Sequence, residues 1–137
     1  MSSERSSRFI AIVDDDMPVR SALQDLIESE GLSALCFGSA EEFLDSGAQH
    51  KVACLIADIR MPGLSGLELQ ARLNAERCRV PIIFITAHGE ARTRVQAMRN
   101  GAVEFLAKPF DNALLLETAH AAVKAYAKAP GDWDSSR

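Results

Sequence analysis

Six small or apolar residues, Val52 to Ala57, run without interruption into a single carboxylate, Asp58. Apolar runs of this length, bounded by turn signals, suit a strand buried on both faces, and such strands belong to parallel sheets. Ile59-Arg60-Met61-Pro62-Gly63 follows, with Pro-Gly marking a loop. Asp58 therefore stands where a central strand leaves the sheet, and in an open parallel sheet ligands bind outside the carboxyl ends of the strands. One strand-end Asp by itself reads as a loop cap. The rest of the chain changes that reading.

Two further runs repeat the pattern. Phe9 to Val13 leads into Asp14-Asp15-Asp16, and Val80 to Ile85 ends at Thr86. Leu32 to Phe37 is a shorter, less uniformly apolar strand that suits an edge, and Ala102 to Ala107 runs to Lys108-Pro109. Amphipathic segments lie between these runs. Val19, Ala22, Leu23, Leu26 and Ile27 form the stripe of a helix ended by Gly31. Ser39-Ala40-Glu41-Glu42 and Ser65-Gly66-Leu67-Glu68 both have the capping-box spacing, and Gly47 stops the first of these two helices. Leu69 and Leu73 share a face on the second. Ala91, Val95 and Met98 are expected on the inner face of the next helix, ended by Gly101. Asp111 can cap a last helix with Leu115, Ala119, Ala122 and Tyr126 inward. This alternation predicts one doubly wound α/β domain of five βα units, with a five-stranded parallel sheet in the flavodoxin-like order 2-1-3-4-5. Residues 1–8 and 128–137 are polar and are read as tails flanking a domain over 9–127.

Composition narrows the function. At 137 residues, with 47% hydrophobic and 25% charged residues, the chain has the balance of one ordinary globular domain. A net charge of −4 argues against direct contact with nucleic acid. No run reaches membrane-spanning length, and the polar N-terminus lacks the apolar core of a signal peptide, so a cytoplasmic location is expected. Cys36, Cys54 and Cys78 show no metal-type spacing, and Cys36 and Cys54 read as buried thiols.

On the sheet, Asp14, Asp15, Asp58, Thr86 and Lys108 all fall at carboxyl ends and converge on one edge. Asp16 has a plain task as a helix cap, with Pro18 tolerated in the first turn. Asp14 and Asp15 have none, and adjacent carboxylates repel unless a cation compensates. Hard oxygen ligands without His or Cys suit Mg²⁺. A carboxylate can act as nucleophile and form an aspartyl phosphate, and Lys108 and Thr86 are suitable stabilisers of phosphoryl charge.

These residues resemble the response-regulator receiver domains (CheY-like) of two-component signalling. The matching pieces are Ile12-Val13-Asp14-Asp15-Asp16, Asp58 with Met61-Pro62-Gly63 and Gly66, Ile85-Thr86-Ala87, and Phe105 with Lys108-Pro109-Phe110. They cover about residues 8–127, and the wording is similar to the FixJ-like branch. The resemblance implies that Asp58 accepts a phosphoryl group from a sensor histidine kinase. It implies that Asp15, Asp58 and the backbone carbonyl of Arg60 hold Mg²⁺, with Asp14 acting through water. Lys108 and Thr86 would contact the phosphoryl group, Phe105 would be the aromatic switch, and Arg60 and His88 would tune dephosphorylation. It further implies a cis Lys108–Pro109 bond, and remodelling of the face made by the fourth helix, last strand and last helix, which would control homodimerisation or output. The chain is either a stand-alone receiver or the receiver part of a longer transcriptional regulator. Two alternatives stay open: a pseudo-receiver that never takes up phosphate, and an Mg²⁺-dependent phosphatase with an Asp nucleophile. Arg60 stands where such phosphatases carry a second carboxylate, which disfavours the latter.

Overall fold

The computed structural model describes residues 9–87 and 89–128. The tail read over 1–8, residues 129–137 of the tail read over 128–137, and His88 lie outside the described residues, while Lys128 ends the last helix. Five parallel strands, β1 (Phe9–Val13), β2 (Ser33–Phe37), β3 (Cys54–Asp58), β4 (Ile82–Thr86) and β5 (Glu104–Ala107), form one sheet in the order β2-β1-β3-β4-β5. The helices are α1 (Met17–Glu28), α2 (Ala40–Ser46), α3 (Gly66–Ala75), α4 (Ala91–Arg99) and α5 (Asn112–Lys128), with a short 3₁₀ turn at Ala48–His50. The expected architecture and strand order are both present.

The continuous apolar runs form strands because both faces of the sheet are covered. Ile10, Ile12, Ile56, Ile83 and Ile85 pack on one side with Leu23 and Ile27 of α1 and Leu115 and Ala119 of α5. Ala11, Val13, Leu55, Phe84 and Phe105 pack on the other with Phe43 of α2, Leu69 and Leu73 of α3 and Ala97 of α4. β2 lies at the edge, as its weaker apolar character suggested. Cys36 is consequently half-buried, not buried as expected, whereas Cys54 in the centre is fully enclosed and burial pushes its thiol up to about 12.

Local signals set the helix ends. Asp16 accepts from the Val19 amide at 3.4 Å, and Ser65 and Glu68 form a reciprocal capping box. The first capping-box match is half made: Ser39 caps Glu42, but the Glu42 carboxylate reaches past Ser39 to the Gly38 amide at 2.6 Å. Asp111 accepts from the Ala113 amide at 2.8 Å at the start of α5.

Two helix faces differ from expectation. Ala22 is exposed on α1. On α4 the expected inward residues Ala91, Val95 and Met98 are all exposed, and Ala97 is the buried one. Polar ties set the rotation of α4. Buried Gln70 of α3 donates to the Ala97 carbonyl at 3.0 Å, Asn74 donates to the Asn100 carbonyl at 3.0 Å, and Arg94 donates to the Phe105 carbonyl at 3.4 Å. Ala97 is small enough for α4 to approach the Gln70 amide closely, and that contact fixes which face turns inward.

Candidate functional site

The strand order puts β1 beside β3, with Val13 opposite Ala57, so Asp14 and Asp58 leave the sheet side by side. β1 is also where the chain changes direction across the sheet, the place at which doubly wound sheets open a crevice. One carboxylate oxygen from each of Asp14, Asp15 and Asp58 lies within 4.8 Å of the others. Asp14 is fully buried, Asp58 half-buried and Asp15 exposed. The cluster is thus graded from the sheet outward to solvent.

Each member is held differently. Asp14 Oδ1 accepts from the Asp16 amide at 2.9 Å, while its buried Oδ2 has no hydrogen-bond partner. Arg20 of α1 donates to the Asp14 carbonyl at 2.6 Å and pins the strand end. The Arg60 amide donates to Asp58 Oδ1 at 3.3 Å and fixes the rotation of that carboxylate. Burial raises the pKa of both Asp14 and Asp58 above the usual carboxylate value, the hydrogen-bonding amides oppose the rise, and neighbouring carboxylates add to it. Lys108, on the loop after β5, pulls both back down through its positive charge. The Lys108 amide also donates to the Thr86 carbonyl at 2.8 Å, which joins the ends of β4 and β5. Lys108–Pro109 is cis, as expected.

A buried carboxylate oxygen without a partner, facing two more carboxylates, fits a hard cation or a water bound to one. The donor set is all oxygen, and the Lys108 charge acts on two of its members. This arrangement can bind a phosphate-bearing group and offer it a carboxylate nucleophile.

Thr86 is fully buried at the end of β4. Phe105 lies away from the carboxylates, in the core under α4, with Arg94 over its ring at 6.0 Å from the centroid. The ring is already inside in this structure, so it does not wait at the surface for space to open. The Arg60 side chain turns away from the carboxylates to Glu90 at 3.5 Å, and both side chains are more than half exposed. Such a pair contributes at most about 1 kcal/mol. Arg20, Glu90 and Arg94 were not legible as site neighbours. An Arg or Glu on a helix carries no sequence mark that separates a solvated side chain from a tertiary tie.

Gly66 opens α3 directly against the end of β3. A Cβ there would overlap the Asp58 carbonyl oxygen and sit 3.0 Å from both Ile59 Cα and Phe84 Cε1. The first of these is backbone and cannot give way. Gly66→Ala is expected to cost about 1–3 kcal/mol by overpacking and to displace Asp58. Urea denaturation and the Asp58 amide resonance would check this; unchanged stability would show that α3 can retreat freely.

A five-stranded parallel α/β sheet in the order 2-1-3-4-5 defines the flavodoxin-like class, and here an acidic crevice lies at its switch point. The chain belongs to the response regulator receiver domain family of two-component systems, with residues 10–120 matching it. It is 44% identical over 123 residues to Nodulation protein W of Bradyrhizobium diazoefficiens, covering 89% of this chain and 54% of that one. It is 42% identical over 114 residues to the transcriptional regulatory protein FixJ of Azorhizobium caulinodans, covering 83% and 54%. The crystal structure of FixJ-N superposes with a TM-score of 0.75 at 36% identity, covering 85% of this chain and 93% of that one. The chain spans about half the length of the curated relatives it matches. No helix among the described residues is long and apolar enough to cross a membrane.

Proposed function

We propose that the chain is a phosphorylation-driven switch whose phosphoacceptor is Asp58. The observation that carries this reading is the meeting of Asp14, Asp15 and Asp58 within 4.8 Å, beside Lys108, with a buried Asp14 oxygen left unpartnered. A carboxylate oxygen of Asp58 attacks the phosphorus of a phosphohistidine on a sensor histidine kinase. The P–N bond breaks, the imidazole leaves with a proton, and an aspartyl phosphate remains. Asp15, Asp58 and the Arg60 carbonyl would hold Mg²⁺, with Asp14 one water removed; the ion supplies charge neutralisation at the phosphoryl oxygens. Lys108 neutralises a further oxygen, and Thr86 donates its hydroxyl to another. The domain runs over 9–127, acts in the cytoplasm, and assists its own phosphorylation and dephosphorylation without being an enzyme on other substrates.

Relatives about twice as long, one of them called a transcriptional regulatory protein, support a role as the receiver part of such a regulator. The signal then leaves through α4, β5 and α5. Phosphorylation adds about two negative charges and strong acceptors at Asp58. Thr86 turns toward them, and the β4 end moves with it. α4 can follow because Ala97 is its one buried residue. The altered face favours homodimerisation or output-domain docking.

Incubation with Mg²⁺ and acetyl phosphate, followed by intact mass, tests the reading. A switch gains one phosphoryl mass and loses it slowly; no gain indicates a pseudo-receiver, and repeated turnover a phosphatase. Thr86→Ala is expected to take up the phosphoryl group but to transmit poorly. In sedimentation and amide exchange with beryllofluoride and Mg²⁺, the native chain should change across 86–110 and self-associate, and the variant should do neither. A variant that associates normally would show that the coupling bypasses Thr86.

A further inference from the structure

We propose that Glu41 of α2 is a positioning residue for the phosphoacceptor, a clasp that holds the β3–α3 loop so that the Arg60 amide orients Asp58; this rests on the reading of Asp58 as phosphoacceptor. The loop runs from Ile59 to Ser65. Its ends are closed by its own chain: the Gly66 amide donates to the Ile59 carbonyl at 2.8 Å, and Ser65 and Glu68 form the capping box. Met61 is buried in the core beneath it. The middle, exposed Pro62 and Gly63 with half-buried Leu64, is reached from a different element by Glu41.

Two observations define that contact. Glu41 Oε2 accepts from the Leu64 amide at 3.0 Å, a bond between residues 23 apart in the chain. The carboxylate also lies flush against Gly63, where a Cβ would overlap Oε2 and sit 3.1 and 3.2 Å from Cδ and Oε1. Gly63 has φ +76°, a left-handed conformation suited to glycine. The loop backbone is thus shaped to receive this carboxylate. The Leu64 amide, ahead of the Arg72 guanidinium on α3, holds the Glu41 carboxyl below its usual range, so it stays an acceptor at neutral pH.

The consequence reaches Asp58 through one residue. Arg60 lies on the same loop, and its amide donates to Asp58 Oδ1 at 3.3 Å. Partners that orient the groups around a reacting or metal-binding centre are worth on the order of 10–100-fold in affinity or rate when removed. Glu41 is not one of the three clustered carboxylates, so its effect is on placement.

The test uses the whole chain with Glu41→Ala, Glu41→Gln and Glu41→Asp. Mg²⁺ affinity is read by calorimetry, phosphorylation rate with acetyl phosphate by intact mass, and the Arg60 and Leu64 amides by NMR. Thermal midpoints without Mg²⁺ report folding. Glu41→Ala is expected to lower Mg²⁺ affinity and phosphorylation rate each on the order of tenfold and to move both amide resonances. Glu41→Gln keeps an acceptor at the same reach and should retain most of both. Glu41→Asp keeps the charge but falls short, and should behave like Ala. Native affinity and rate in a folded Glu41→Ala chain would overturn the proposal, as would a native-like Asp variant beside an impaired Gln variant. Should Glu41→Ala not fold, the Gln and Asp variants decide between reach and charge. If the native chain takes up no phosphoryl group, the reading of Asp58 fails, and the Arg60 amide resonance in the Glu41 variants still decides the clasp.

Discussion

Asp58→Asn is expected to gain no phosphoryl mass over a period in which the native chain converts fully with acetyl phosphate and Mg²⁺. The amide nitrogen is not a nucleophile at neutral pH, and the substitution removes one of three clustered carboxylates at the same time. The fold should survive, because Asn retains a carbonyl oxygen that can accept the Arg60 amide bond now made to Oδ1. It should even gain stability without the metal. Burial raises the Asp58 pKa, so ionised Asp58 is a cost to the native state that the amide does not carry. Loss of phosphorylation together with a raised thermal midpoint would separate a lost nucleophile from a damaged fold. Incorporation at the native rate on another residue, with exposed Asp15 the nearest candidate, would remove Asp58 from its assigned role.

The strands and their polar ends were legible because a buried parallel sheet demands continuous apolar runs, and turn chemistry marks where they stop. Asp14, Asp58, Thr86 and Lys108 could be placed on one edge from chain order alone, given a parallel sheet. The Ser65 capping box and the Asp16 and Asp111 caps were equally visible, since each is made within a few residues. Tertiary ties were not. The Glu41–Leu64, Gln70–Ala97 and Arg60–Glu90 contacts join residues 23, 27 and 30 apart, and nothing in the local pattern announces them.

The rotation of α4 shows how such ties override periodicity. The spacing of Ala91, Val95 and Met98 favoured burial of that stripe, yet Val95 and Met98 are exposed. Its nine residues are too few for an apolar stripe to dominate, and the buried Gln70 amide supplies a stronger constraint. Leaving that hydrogen bond unmade in the core costs about 1–3 kcal/mol, comparable to what burying one exposed Val side chain returns.

Asp14→Asn is expected to stabilise the metal-free chain while weakening Mg²⁺ binding. Asp14 is fully enclosed, its Oδ2 has no partner, and the carboxylates of Asp58 and Asp15 face it. Burial is the leading cause of its raised pKa, followed by the opposing Asp16 amide and then the repulsion from Asp58. A native pKa above the unfolded one means that the native state binds more protons between the two values. Stability attributable to this group is therefore full below the ordinary value of 3.8 and is lost as pH rises through the raised native pKa. At neutral pH the native chain carries that penalty and the Asn variant does not. The Asn carbonyl can still accept the Asp16 amide, and its NH₂ can donate toward Asp58, so no native contact need be lost. Urea denaturation of both proteins without Mg²⁺ should show the variant ahead at neutral pH, with the gap closing as pH falls toward 3.8 and Asp14 becomes protonated. Comparing the two cancels other titrating groups, including Glu41, whose depressed pKa works in the opposite direction. With Mg²⁺ the order should reverse, because a ligand that binds only the native state stabilises in proportion to its affinity, and the variant has lost on the order of tenfold or more. A variant less stable than the native chain without metal, or a gap that does not close at low pH, would mean that the Asp14 carboxylate is compensated within the fold and that the site carries no strain for a cation to relieve.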